Sequence, residues 1–267
     1  MIHDLRILFV GDIMGRPGRE AVAKILPEWR EKYRPDLVVA NGENLAHGSG
    51  VTKKTAEEMF SAGVDVITSG NHFLDRREVF EYIKAEKPPI IRPMNFEDGD
   101  APETNGFVAM ERSGRKIMIL NLIGTMHMKR AYQNPFLLVD EFLKAVKPEI
   151  NIIIVDFHAE TTSEKKAMGL FLDGRVSAVI GTHTHIATAD EQVFQKGTAY
   201  ITDVGMVGVK NSVIGMDTEI IIKEFKGEKV RKEIALSGEV EANAVLINID
   251  ESTGRALKIE RIRSVIA

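Results

Sequence analysis

Short apolar runs alternate with amphipathic stretches through the first half of the chain. Leu5–Val10 (LRILFV) reads as a buried strand ending in Gly11-Asp12. From Gly18 to Tyr33 the apolar positions Val22, Ile25, Leu26 and Trp29 fall at helical spacing, with Pro27 expected to kink or split the helix. Asp36–Ala40 is a second strand, ending in Asn41-Gly42-Glu43-Asn44, and Thr52–Ala62 is a helix with Thr52 or Thr55 as N-cap. Val64–Thr68 is a third strand, ending in Ser69-Gly70-Asn71-His72. Arg76–Ala85 is helical, and Ile90–Arg92 opens another strand. Such alternation predicts βαβ units around a mainly parallel sheet.

The second half is richer in strands. Phe107–Glu111 and Lys116–Leu122 flank Ser113-Gly114 as a hairpin would. Further strands are expected at Ile150–Asp156, Val176–Ile180, Tyr200–Asp203, Glu219–Lys223, Val230–Leu236, Ala244–Asn248 and Leu257–Ile262. Asn95–Asn105 reads as a loop and Met126–Phe136 as a second irregular stretch, whose apolar side chains are a candidate homo-oligomer contact. With no repeat, low-complexity tract or long linker, the expected fold is one α/β domain over residues 1–267, a sandwich of two mixed β-sheets flanked by helices.

Composition narrows the chemistry. The 35 Lys and Arg against 39 Asp and Glu give a net charge of -4, which argues against stable nucleic-acid binding through a basic surface but leaves room for a small nucleotide. The chain has no cysteine, so any metal must be held by His, Asp, Glu, Asn or backbone oxygen. Those ligands suit Fe, Mn, Zn or Mg. The N-terminal MIHDLRILFVGD lacks the apolar core and cleavage site of a signal peptide, and no apolar run reaches the roughly 20 residues that span a bilayer. The expected location is cytoplasmic, with no membrane association.

Polar residues gather where the apolar strands end: Asp12 in GD, Glu43 and Asn44 in NGEN, Asn71 and His72 in GNH, His158 in DFH, and His183 and His185 in GTHTH. Ligands bind outside the carboxyl ends of strands in parallel α/β sheets. Imidazole is a common metal ligand, Glu43 has two oxygens with which to bridge two cations, and the asparagines add neutral carbonyl oxygens. In extended backbone, His183 and His185 would point to one face. Alone, GD or NG after a strand is an ordinary turn; the combined set is the signal. Of the remaining histidines, His3 is terminal, His47 sits in a Gly-rich loop that either contacts substrate or is only a loop, and His127 has no assigned role. Asp75 either orients His72 or caps the next helix. Thr161, Thr162, Ser163, Glu164 and Lys165 either position phosphate or start a helix. Arg16 and Arg19 either contact phosphate or lie on a solvated helix start.

At these motifs the chain resembles the calcineurin-like metallophosphoesterase superfamily. Met14 stands where that superfamily has a histidine, and NGEN replaces its usual GDxxDR block. NGEN, GNHFLD, DFHAETTSEK, GTHTHIATAD and ITDVGMVG together are similar to the YmdB-type family of bacterial 2′,3′-cyclic-nucleotide 2′-phosphodiesterases, over residues 11 to 215. The resemblance implies a metallophosphoesterase-like sandwich and two divalent or trivalent metal ions per chain, with Fe expected and Mn, Zn or Mg as substitutes. It implies that Asp12, Glu43, Asn44 and His185 hold one metal and that Glu43, Asn71, His158 and His183 hold the other. It makes His72 a proton donor, with a ligand or orienting role as the alternative. The implied substrate is a small nucleotide or RNA-derived cyclic phosphate. The competing readings are a broader phosphatase or phosphodiesterase and a regulatory protein that senses ligand through the metal site.

Overall fold

The computed structural model describes residues 4–96, 104–128, 130 and 132–267. Two mixed sheets lie face to face. In the first, strands β1 (Asp4–Val10), β3 (Leu37–Asn41) and β4 (Val66–Thr68) run parallel in that order. On its other side β1 pairs antiparallel with β12 (Val240–Asp250), which also carries β13 (Ala256–Ile266) and β11 (Met206–Val209). The short β2 (Asp12–Ile13) pairs parallel with β11. The second sheet has parallel β6 (Arg115–Ile123), β7 (Ile152–His158), β8 (Ala178–Thr182) and β10 (Ala199–Ile201). Antiparallel β5 (Phe107–Arg112) and β9 (Gln192–Val193) close its edges.

Strand alternation builds the layers. Leu5, Ile7 and Phe9 of β1 face inward onto Ile117 and Ile119 of β6 and Ile152 and Ile154 of β7, forming a dry core between the sheets. Leu8 and Val10 point to the other face. There they pack against α1 (Gly15–Tyr33), α2 (Lys53–Ala62) and α3 (Glu78–Glu86) through Val22, Leu26, Met59 and Val79. The outer face of the second sheet is covered by α4 (Pro135–Ala145) and α5 (Thr162–Phe171). Among the described residues no helix is long and apolar enough to cross a membrane.

Several elements differ from expectation. Pro27 neither splits nor ends α1, which continues to Tyr33. Thr52 and Thr55 are not alternatives: they form a reciprocal capping box, each side chain bonding the other's backbone N–H. The expected strand at 219–223 is instead the middle of α6 (Thr218–Phe225), where Asp217 accepts from the Ile220 N–H and starts the helix. Three consecutive isoleucines look β-prone, but a run that short does not separate strand from helix, and the cap decides. Residues 230–236 make only a single bridge, Met216 to Ile234, and residues 90–92 only one, Ile67 to Ile90. Asn134 caps α4 by accepting from the Phe136 and Leu137 N–H groups, so the irregular stretch ends earlier than position 136. Most of the loop at 95–105, and His3, lie outside the described residues.

Candidate metal centre

The carboxyl ends of strands from both sheets meet at one place. Asp12 follows β1, Glu43 and Asn44 follow β3, and Asn71 and His72 follow β4. His158 ends β7, and His183 and His185 follow β8. The turn geometry needs glycine at Gly70: a Cβ there would lie 2.3 Å from both Glu43 Oε2 and His158 Nε2, on top of the donor atoms themselves.

Two sets of donors converge. Glu43, His158 and His183 offer atoms within 4.8 Å of one another, as do Asp12, Glu43 and His185, so Glu43 belongs to both. His158 Nε2 lies 3.1 Å from Glu43 Oε2, 3.2 Å from Asn71 Oδ1 and 3.0 Å from His183 Nδ1. In the second set, Asp12 Oδ1 is 3.8 Å from His185 Nε2. Asn44 turns its amide nitrogen inward, 3.1 Å from both His185 Nε2 and Glu43 Oε1. A half-turn of that amide presents its oxygen to the same point.

Each histidine has one ring nitrogen tied outward. His185 Nδ1–H donates to the Ile214 carbonyl at 2.9 Å, leaving Nε2 facing the centre. His158 Nδ1 lies 2.9 Å from Thr182 Oγ1, whose hydroxyl donates to Asp156 at 2.7 Å. His183 Nε2 lies 2.9 Å from Glu160 Oε2, leaving Nδ1 inward. This outward bonding is how metal-ligating imidazoles are held in one tautomer and orientation. His183 and His185 do not reach the site by strand alternation, as expected from their spacing. Both lie past the end of β8 with φ of 98° and 65°, left-handed backbone that side chains other than glycine seldom adopt.

The electrostatics fit a cationic occupant. Burial raises the Asp12 carboxyl to about 7 despite His185 and His158 nearby. Its Oδ1 is buried without a hydrogen-bond partner. Burial also pushes the Glu43 carboxyl up, but the adjacent His158 overcomes this and holds it well below the usual carboxylate range. Burial presses His158 down, and Glu43 outweighs that and lifts it to about 9. Burial and the neighbouring His158 lower His183 to about 3, so that ring is neutral. An orphaned buried carboxylate oxygen beside inward-facing imidazoles is a donor set that suits hard or borderline cations.

His72 stands beside this group, not within it. Its Nδ1 lies 2.7 Å from Asp75 Oδ2, and Ser49 Oγ, 3.2 Å from the same nitrogen, also donates to Asp75. Asp75 therefore orients the imidazole and does not cap α3. A cleft of about 460 Å³ joins His72, Glu43, Asn44, His183 and His185 to the side chains of residues 213–225.

Other candidates have structural tasks. Arg19 is held by Glu58 and the Leu45 carbonyl, and Arg16 faces Glu20; both line a separate groove between α1 and α2. Thr161 caps α5, with Thr162 and Ser163 in its first turn, and Glu164 accepts from the Thr125 and Met126 N–H groups. Lys165 is buried against Asp203 at 2.7 Å. His47 and His127 are exposed, in left-handed backbone. Sequence reasoning missed Glu160, Asp156, Thr182, Asp203 and Ser49. The DFHAE and GTHTH strings contain the first three, but nothing in them marks which polar neighbour of a ligand supports it.

The model of the family described as YmdB-like protein matches residues 8–262. The chain is 43% identical over 258 residues to the 2′,3′-cyclic-nucleotide 2′-phosphodiesterase of Bacillus subtilis, covering 97% of this chain and 96% of that one. A crystal structure of a novel phosphatase from Mycoplasma pneumoniae superposes with a TM-score of 0.93 at 36% identity, over 99% of this chain and 95% of that one. A hypothetical protein from Thermus thermophilus gives 0.91, also at 36% identity, over 98% and 100%. A family match and a curated relative that both span almost the whole chain leave one assignment: this chain belongs to the YmdB-like protein family.

Proposed function

We propose that the chain is a metal-dependent phosphodiesterase that hydrolyses 2′,3′-cyclic nucleotides to 3′-nucleotides at a two-cation centre. The observation that carries this is Glu43, common to two separate groups of donor atoms. The Bacillus subtilis relative supports the substrate class. Asp12, Glu43, Asn44 and His185 would hold one cation, and Glu43, Asn71, His158 and His183 the other. Fe is the expected metal, with Mn, Zn or Mg able to substitute. When bound, the pair of cations supplies an activated water and offsets charge gathering on the phosphoryl oxygens.

The chain's own residues do the rest. Glu160, Thr182 and the Ile214 carbonyl hold the three imidazoles in register. Asn71, 3.2 Å from His158 within the donor set, places the adjacent His72 at the rim of the centre. As the bond from phosphorus to the 2′ oxygen breaks, His72 gives that oxygen a proton, and the phosphate stays on the 3′ oxygen. Asp75 holds the ring for this transfer, which is worth about 10²–10⁴-fold in rate.

The test is a substrate panel on metal-loaded protein: 2′,3′-cAMP, 3′,5′-cAMP, bis-p-nitrophenyl phosphate and p-nitrophenyl phosphate. The expected result is highest kcat/KM on 2′,3′-cAMP, with 3′-AMP as product. A preference for the monoester overturns the assignment and favours a broader phosphatase, the activity that the Mycoplasma pneumoniae structure carries in its description. Ligand binding without turnover of any of the four favours a sensing role.

A further inference from the structure

One wall of the cleft has no task in phosphate chemistry. Opposite Glu43 and the histidines, the same cavity is lined by Val213, Ile214, Met216, Ile221 and Phe225. Phe225 is 81% exposed, although a phenylalanine ring on a soluble surface ordinarily finds cover. Ile221 and Phe225 are four residues apart on α6 and share a helical face. Ile221 is buried and anchors that face, which leaves the Phe225 ring standing free at the cleft.

This wall is tied to the centre. Ile214 has a φ of 49°, a left-handed conformation that is a genuine outlier for a β-branched residue. Its carbonyl accepts from His185 Nδ1. The strained residue thus orients a donor of the centre with its backbone and lends its side chain, 42% exposed, to the apolar wall. The wall and the polar floor are joined through this hydrogen bond. Glu224 and Lys232 neutralise each other at 3.1 Å in the same cleft, so the wall carries no unpaired charge.

We propose that Phe225, backed by Ile214 and Ile221, is a stacking platform for the nucleobase, and that it sets the preference of this site for nucleoside phosphodiesters over base-free ones. The proposal rests on the phosphodiesterase reading above. A 2′,3′-cyclic phosphate on the polar floor leaves its base pointing away from the cations. A flat apolar face on one aromatic ring accepts any base without selecting among them, because every base has a π-face. Base specificity is therefore expected to be weak, and the demand for a base strong.

The experiment compares 2′,3′-cAMP with methyl ribofuranoside 2,3-cyclic phosphate, which lacks only the base, in native, Phe225→Ala and Phe225→Trp enzymes. Phe225 is so exposed that its truncation leaves the fold unstressed. Native enzyme is expected to favour the nucleotide. Phe225→Ala should lower kcat/KM for the nucleotide by roughly 10- to 100-fold, through KM, with the base-free compound unchanged. Phe225→Trp should keep the native preference. An equal loss on both compounds, or none on the nucleotide, overturns the platform. If native enzyme turns over neither compound, the hydrolase reading itself falls. The platform is then judged by binding of adenosine 3′-phosphate against methyl ribofuranoside 3-phosphate. Weaker adenosine 3′-phosphate binding in Phe225→Ala alone supports it; equal native affinities, or no change in Phe225→Ala, overturn it. Dissociation of an oligomer in Phe225→Ala with base preference intact gives the ring to a second copy of the chain and overturns it as well.

Discussion

Asn71 and His72 are adjacent in the chain and have different surroundings, which is why the proposed reaction gives them different roles. Asn71 Oδ1 faces His158 across the centre, whereas His72 turns outward to Asp75 and Ser49. Replacing His72 with alanine should leave both metals bound and cut kcat by about 10²–10⁴-fold. Elemental analysis beside a turnover assay checks both halves; full activity would remove His72 from the reaction. Glu43→Ala acts on the other side of that division. It removes the donor common to both sets and should leave at most one metal per chain, so two retained metals would contradict bridging. These residues were legible because polar, metal-capable side chains stand together just after apolar strands. The residues supporting them were not. Asp156 sits inside β7, where the sequence reads as apolar strand; the register sets it opposite Ile180 of β8, and only that pairing brings Thr182, two places further on, within reach to donate to it.

Among elements, the loop after β8 that carries His183 and His185 depends on a pair that the sequence did not connect. Asp203, two residues past β10, accepts from Thr184 N–H and Oγ1, between His183 and His185, and from Gly205 N–H. Its cation is Lys165 of α5; both side chains are 1% exposed. Breaking such a pair leaves a charge buried without compensation and costs about 3–5 kcal/mol. Lys165→Met keeps the apolar stem but not the charge. Its unfolding free energy in urea should fall by about that amount, with Tm lower by on the order of 10 °C. A loss under about 1 kcal/mol would mean that water replaces the ammonium. The parallel strands of the first half were readable because each is a short apolar run closed by a polar turn. The strands expected at 244–248 and 257–262 lie within β12 and β13, but between residues 210 and 240 the rule failed. Residues 219–223 carry three consecutive isoleucines and 230–236 alternate in part between apolar and charged, yet one became α6 and the other stayed nearly unpaired. Local composition there does not encode that β11, β12 and β13 already fill the sheet edge.

For the whole molecule, the centre is a burden on folding that bound cations would relieve. Asp12, Glu43, His158, His183 and His185 come together from strands of both sheets, so the chain cannot fold without bringing these groups into one buried place. Without metal, protons do part of the neutralising. His158 is raised to about 9 from 6.5, so its contribution to stability is complete below pH 6.5 and is lost as pH rises through 9. Asp12 is raised to about 7 from 3.8, so the folded chain again binds the extra proton, and stability falls as pH rises between those values. A metal must displace those protons, at about 1.4 kcal/mol per pH unit for each one released. His183, lowered to about 3, releases none near neutrality. Chelator-treated protein should therefore lose stability from about pH 6 to about pH 9, and the rise in Tm on adding Mn should grow over the same range. Calorimetry with and without metal across that range reads both trends. A metal-induced rise in Tm that is flat with pH, or larger at the acidic end, would mean that the cation does not take the place of protons on His158 and Asp12, and would remove these two residues from its ligand set.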